Sequence, residues 1–221
     1  MVLKILVPYH KAFDLIEEGD VLLFRSHCWY SWFVKSYTNS PYTHVGIASR
    51  PDGLIEIIEF HGSTSGGVSR NLARAIKEQS GEIDVYRPSP MWTSLHLDEN
   101  NNVDLDVKEF TSEMAQKITE TMRKMTGLPY GWKRIWWMAK HKLMGLRLFY
   151  KPEDLMNDEL CAIIYPVCST AVAYSFSKNG FDLIKNKSDQ WTEPAHIALS
   201  TNLNKLFTLT WDEEKDKEFL S

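Results

Sequence analysis

The segment Pro166-Val167-Cys168-Ser169-Thr170-Ala171-Val172-Ala173-Tyr174-Ser175-Phe176 constrains the fold more than any other. It opens on proline, whose backbone is preset for the first turn of a helix, and then carries no charge until Lys178. A helix with no charged face is a buried helix. Cys168 is expected at or near its first turn, where backbone N–H groups favour a thiolate. That is a good seat for a nucleophile, and an inert packed cysteine would have the same sequence.

With 221 residues, 43% hydrophobic and 24% charged, the chain is expected to form one α/β or α+β domain with its own core. The net charge of -4 gives no global case for nucleic-acid binding. Cys28, Cys161 and Cys168 are too few for a disulfide scaffold, and without a C-x-x-C pair a thiolate zinc site is not expected. The apolar start, Met1-Val2-Leu3-Lys4-Ile5-Leu6-Val7-Pro8, is short and lacks a small-residue cleavage site, so we do not read it as a signal peptide. No apolar run is long enough to span a bilayer. The expectation is a reduced, cytoplasmic protein.

Along the chain, Val21-Leu22-Leu23-Phe24 reads as a strand, and residues 29–37 as an aromatic helix-like stretch. Residues 42–48 and 54–60, joined across Pro51-Asp52-Gly53, predict an antiparallel hairpin. Residues 62–67 form a glycine- and serine-rich loop with no Lys-Ser/Thr ending, which is a poor phosphate cradle. Residues 71–79 read as helix and 83–87 as strand. Residues 89–106 are polar and read as an irregular exposed insertion. Helices are predicted at 110–125, with Met114, Ile118 and Met122 as the apolar stripe, and at 132–150. A short helix follows Trp191-Thr192-Glu193-Pro194, residues 207–211 read as a last strand, and the charged tail after Asp212 reads as frayed.

A cysteine hydrolase needs a thiolate, an imidazole beside it and a polar group that fixes the imidazole. His44 is the best imidazole candidate, near the start of a strand and close to the small residues Thr43 and Gly46. The second hairpin strand offers Glu56 and Glu59. They lie three apart, so a regular strand points them to opposite faces and only one can join the site. His44 as a core histidine, with both glutamates on a solvated edge, is the competing reading. His61 is a rival base. A metal site of His44, Glu59 and His61 is conceivable, although the spacing matches no strong ligand motif. His196 follows Cys168 but sits at a helix start. Cys28 beside His27 and Cys161 before Ala162-Ile163-Ile164 read as packing.

Five segments in this order resemble the permuted papain-like proteins of the NlpC/P60 superfamily, in particular the YiiX/YaeF-like amidase branch. They are Gly19-Asp20-Val21-Leu22-Leu23-Phe24, Tyr42-Thr43-His44-Val45-Gly46-Ile47, Ile57-Ile58-Glu59-Phe60 with Gly67-Val68 after it, Gly127-Leu128-Pro129-Tyr130, and Val167-Cys168-Ser169. The resemblance implies a circularly permuted papain-like α+β fold, with an antiparallel sheet packed against a helix that bears the nucleophile. It implies Cys168 as nucleophile, His44 as base, Glu59 as the orienting residue, and Tyr42 or Tyr130 beside the cleft. No cofactor or metal is implied. Thr170 stands where the family often carries Glu, and Gly131 where it tends to carry Asp.

The substrate class so implied is an amide in a peptide, a cell-wall peptide (muropeptide) or an acyl-amide. Residues 131–149 add an aromatic, basic segment, and no Asp or Glu occurs between Glu120 and Glu153. Such a segment can wall a cleft, pack on the core or lie peripherally on a membrane, where a lipid-directed acyltransferase or thioesterase would use the same three residues. A non-catalytic binding module on the same fold is the remaining alternative.

Overall fold

The computed structural model describes residues 4–26, 40–62, 66–79, 81–97, 103–132, 166–184 and 187–220. The aromatic stretch at 29–37, nearly all of the basic segment at 131–149, and Cys28 and Cys161 lie outside the described residues.

The described residues form an α+β fold around a seven-stranded, mostly antiparallel sheet. In chain order the strands are β1 (Leu6–Pro8), β2 (Val21–Ser26), β3 (His44–Ser49), β4 (Glu56–His61), β5 (Gly66–Asn71), β6 (Gly81–Pro88), β7 (Met91–Leu97), β8 (Val103–Glu109) and β9 (Leu203–Thr210). The sheet runs β1-β9-β6-β2-β3-β4-β5, with β1 parallel to β9, and β7 pairs with β8 separately. The helices are α1 (Tyr9–Ala12), α2 (Leu72–Glu78), α3 (Ser112–Lys124), α4 (Cys168–Ser177), α5 (Pro194–Ala198) and α6 (Lys215–Phe219).

The predicted hairpin is present: β3 and β4 pair antiparallel, with Gly46 opposite Glu59 and Ile47 opposite Ile58. Both faces of these central strands are buried, which is why they read as nearly unbroken apolar runs. Val45, Ile47, Ile58 and Phe60 join one core, with Ile118 and Met122 of α3 and Ala171, Val172 and Phe176 of α4. Ala48 and Ile57 join the other, with Tyr9 and Ala12 of α1 and Leu72, Ala73 and Ile76 of α2. The helix α4 is covered on all sides, from Cys168 through Phe176, as its lack of charge demands.

Three expectations need correction. The described part of the stretch 89–106 is not irregular: it contributes β7 and most of β8, a paired two-stranded sheet. Trp92 ties that sheet down. It is buried and stacks at 6.0 Å on both Phe110 and Phe176, while Phe181 meets it edge-on. The glycine-rich loop also gives way to a strand at Gly66, and β5 becomes the sheet edge. Gly66 adopts φ +121°, and a Cβ there would meet the Leu128 carbonyl at 1.9 Å. That close approach lets Gly67 exchange backbone hydrogen bonds with 127–128, which covers part of the edge.

The tail, finally, is not frayed. Asp216 of α6 is fully buried and accepts hydrogen bonds from the backbone N–H groups of His10 and Asp212, with the His10 ring Nδ1 also 2.6 Å away. These contacts clasp the C-terminal helix to α1. We predict that Asp216→Ala lowers stability in urea unfolding by about 2 kcal/mol, because it removes a buried acceptor that holds the His10 and Asp212 N–H groups. A tail without this role would give a change within about 0.5 kcal/mol.

Candidate active site

Of the residues singled out in the sequence, Cys168, His44, Glu59 and His61 come together toward the end of the sheet where β3 begins and the antiparallel β4 ends. Cys168 is the first residue of α4 and is 6% exposed. Val167 precedes it in extended conformation and donates its N–H to Thr170 Oγ1 at 3.0 Å. Thr170 thus shapes the start of the helix. Ser169 Oγ anchors the same turn to the Thr192 carbonyl at 2.6 Å. The N–H groups of a first helical turn have no acceptor within the helix, so this turn offers donors beside the sulfur.

His44 is the first residue of β3, and the Cys168 side chain is among the neighbouring groups that act on its ring. Its Nε2 lies 2.6 Å from Glu59 Oε2, leaving Nδ1 as the ring nitrogen for the sulfur. The Phe24 ring packs edge-on against the imidazole at 5.0 Å and limits its rotation. Burial works against a charge on His44, but the Cys168 sulfur and then the Glu59 carboxylate outweigh it and raise its pKa to about 10.

Glu59 is fully buried. Burial alone would raise its pKa, but the charge and hydrogen bond of His44, followed by Arg70, hold it down at about 2. Its second oxygen accepts from Arg70 Nε at 2.5 Å. The other glutamate of β4 is engaged elsewhere: Glu56 accepts from Ser69 Oγ at 2.7 Å and Arg123 Nη1 at 3.0 Å. The strand period separates the two carboxylates as expected.

His61 ends β4, its ring centroid 5.4 Å from that of His44. Burial, then the His44 charge, lowers its pKa, and the Glu59 carboxylate works in the opposite sense. The Glu59 oxygens serve His44 and Arg70. Among the described residues no group of three or more His, Cys, Asp or Glu is arranged to hold a metal ion. His196 lies in α5 and its Nδ1 accepts from the Glu193 backbone N–H at 3.0 Å.

Tyr42 and Tyr130 are partly buried and pack on the core cluster that contains Cys168. The Tyr42 hydroxyl donates to Asp84 at 2.7 Å and lies 2.9 Å from the Tyr86 hydroxyl. Burial and then the Asp84 hydrogen bond raise its pKa. Tyr130 stands by the cysteine helix, because the next residue, Gly131, donates its N–H to the Pro166 carbonyl at 2.8 Å. Its ring lies 5.0 Å from that of Trp132, which is 52% exposed. Trp132 rests over Gly62, where a Cβ would meet the indole at 2.6 Å. An aromatic pair therefore flanks the histidine end of the sheet.

Two participants went unread in the sequence. Arg70 had no signal, since only the pairing of β4 with β5 sets it opposite Ile57 and within reach of Glu59. Trp132 was read only as part of a basic aromatic segment.

No family model matches the sequence, and no curated protein matches it. Among solved structures, the chain is similar to metalloprotein YiiX from Escherichia coli O157:H7, with a TM-score of 0.57 and 14% identity. The match covers 89% of this chain and 99% of that one. At this identity the likeness concerns the fold: an α+β arrangement with a mostly antiparallel sheet.

The two titrating groups set a pH window for stability. Glu59, held near 2 instead of 4.5, stabilises fully above about pH 4.5, and the contribution is lost as pH falls toward 2. His44, raised to about 10 from 6.5, contributes fully below about pH 6.5 and loses it as pH rises through 10. We expect Glu59→Gln to cost about 3 kcal/mol in urea unfolding near pH 6. The gap from wild type should narrow steadily as the pH is taken below 4.5.

Proposed function

We propose that this chain is a thiol hydrolase of the permuted papain-like, NlpC/P60 kind. Cys168 acts as nucleophile, His44 as general base and acid, and Glu59 as the residue that orients His44. The observation that carries the reading is the convergence of the three side chains: the buried Glu59 carboxylate lies 2.6 Å from Nε2 of His44, and the Cys168 sulfur acts on the same imidazole.

In this scheme Nδ1 of His44 takes the thiol proton, and Glu59 compensates the imidazolium that forms. The sulfur lone pair attacks the carbonyl carbon, and the C=O π pair moves to oxygen. The N–H groups of the first turn of α4, Cys168 included, are the donors for that oxyanion. Collapse of the intermediate restores the carbonyl and breaks the bond to the leaving group, which takes the proton from Nδ1. Water then attacks the thioester, gives a proton to Nδ1 and releases the acid and the thiol. Tyr130 and Trp132 form one wall of the substrate site. Tyr42 supports it through its ring, its hydroxyl being committed to Asp84. The substrate is an amide in a peptide, muropeptide or acyl-amide.

The similar structure is described as a metalloprotein. The His44, Glu59 and His61 set does not fit a metal: its carboxylate already has a guanidinium on one oxygen and an imidazole on the other.

We predict that iodoacetamide modifies Cys168 at a pH well below that at which an ordinary thiol reacts, and that His44→Ala removes this advantage by at least about tenfold. Peptide mass mapping at Cys168 is the readout. Equal reactivity of wild type and His44→Ala across the pH range would sink the proposal.

A further inference from the structure

Arg70 sits on β5, the outer strand of the sheet, beside the site but with no path of its own to the sulfur. Its guanidinium forks. Nε donates to Glu59 Oε1 at 2.5 Å, and Nη1 donates to Glu78 Oε2 at 2.9 Å. Glu78, on α2, also accepts from Arg74 Nε at 2.7 Å. The side chain of Arg70 is 27% exposed, while that of Glu59 is fully buried.

We propose that Arg70 is a positioning residue of the thiol site: its guanidinium supplies the fixed positive charge that holds the Glu59 carboxylate against His44 Nε2. The proposal rests on the reading of Cys168 as nucleophile. Glu59 has two oxygens, and each faces one nitrogen donor. With Arg70 on Oε1, the carboxylate cannot turn away from His44 without breaking a charge-assisted hydrogen bond in a dry site. With Arg70 gone, Oε1 would be buried without a partner.

The magnitudes make the second partner decisive. Full burial can raise a carboxyl pKa by about 3–5 units, and one close cation lowers it by about 1–3. A single imidazole, charged for only part of the cycle, does not offset the burial. A guanidinium that never loses its proton does.

The charged groups around Glu59 are few. His44 faces it from β3, His61 from its own strand, and Arg70 from β5. Glu78 on α2 holds the other arm of Arg70, and Cys168 on α4 lies beyond His44. Glu56 of β4 is engaged with Arg123 of α3 instead. No other arginine or lysine hydrogen-bonds to Glu59 among the described residues.

The test needs no known substrate. The rate of Cys168 alkylation by iodoacetamide is followed from about pH 5 to 9 in the full-length wild type, Arg70→Gln and Arg70→Lys, with mass mapping to resolve Cys168 from the other cysteines. In Arg70→Gln the Glu59 carboxyl takes a proton more readily, and the imidazolium loses its counter-charge. The acid limb of the profile then moves up by about one pH unit, a loss of about tenfold in rate near pH 6. Arg70→Lys keeps the charge on a single-contact ammonium and falls between the two.

A folded Arg70→Gln whose limb superimposes on that of the wild type overturns the proposal and leaves the nucleophile reading intact. A merely structural role would lower the unfolding midpoint without moving the limb. If Arg70→Gln does not fold, Arg70→Lys decides: a smaller upward shift supports the role, and superposition removes it. A wild type whose Cys168 reacts only as an ordinary thiol overturns the nucleophile reading, and this proposal falls with it.

Discussion

A carboxylate shut away from water has to be charged and paired or neutral, and the site end of this sheet is built on the first choice. Glu59 exposes none of its surface, yet lies between an imidazole and a guanidinium. Removing either partner would leave a charge in a dry place, a cost of several kcal/mol. The neighbours must therefore keep their positions for Glu59 to stay ionised. That requirement fixes His44 at the start of β3, and through His44 it fixes what stands opposite the Cys168 sulfur.

The scaffold meets this requirement by placing the hairpin in the middle of the molecule. β3 and β4 have packed helices over both faces, so alternate residues along one strand serve different cores. Ile58 and Phe60 belong with α3 and α4, and Ile57 with α2. Glu56 and Glu59 obey the same alternation, so two carboxylates in one short strand acquire different partners and different roles. The helix α4 packs its apolar residues into the core that Val45 and Ile47 of β3 share, and its first residue, Cys168, acts on His44 at the start of that strand.

Much of this was legible in the chain. The uncharged helix, the hairpin and the opposed glutamates each follow from a local pattern that tertiary packing then uses. What the chain hides depends on register between strands. Gly66-Gly67-Val68-Ser69-Arg70-Asn71 has poor strand propensity, and it becomes a strand because β4 offers it a partner. The partnership brings Arg70 to Glu59, and no spacing along the sequence could announce that. Residues 89–106 were misread for a related reason. Their polar composition looks like loop, but Trp92 packs against Phe176 and Phe181 and ties the paired strands to the core. The tail was misread because a single aspartate, Asp216, finds backbone donors that only the folded chain assembles.

A comparison within the molecule separates a structural buried carboxylate from one placed for chemistry. Asp84 is as deeply buried as Glu59 and collects Arg25, Tyr42, Thr208 and Lys205. Burial would raise its pKa, yet these donors hold it low. Its partners Arg25, Thr208 and Lys205 lie on β2 and β9, so Asp84 joins β6 to both neighbouring strands. Glu59 devotes only one oxygen to such a permanent donor. The other faces an imidazole, the side chain whose charge can change during a reaction, and that imidazole in turn faces a thiol. A carboxylate meant only for stability gains nothing from that choice, because a titrating partner makes its support conditional on pH. The arrangement at Glu59 is favourable when a proton has to move between sulfur and imidazole and the charge it leaves has to be compensated in place.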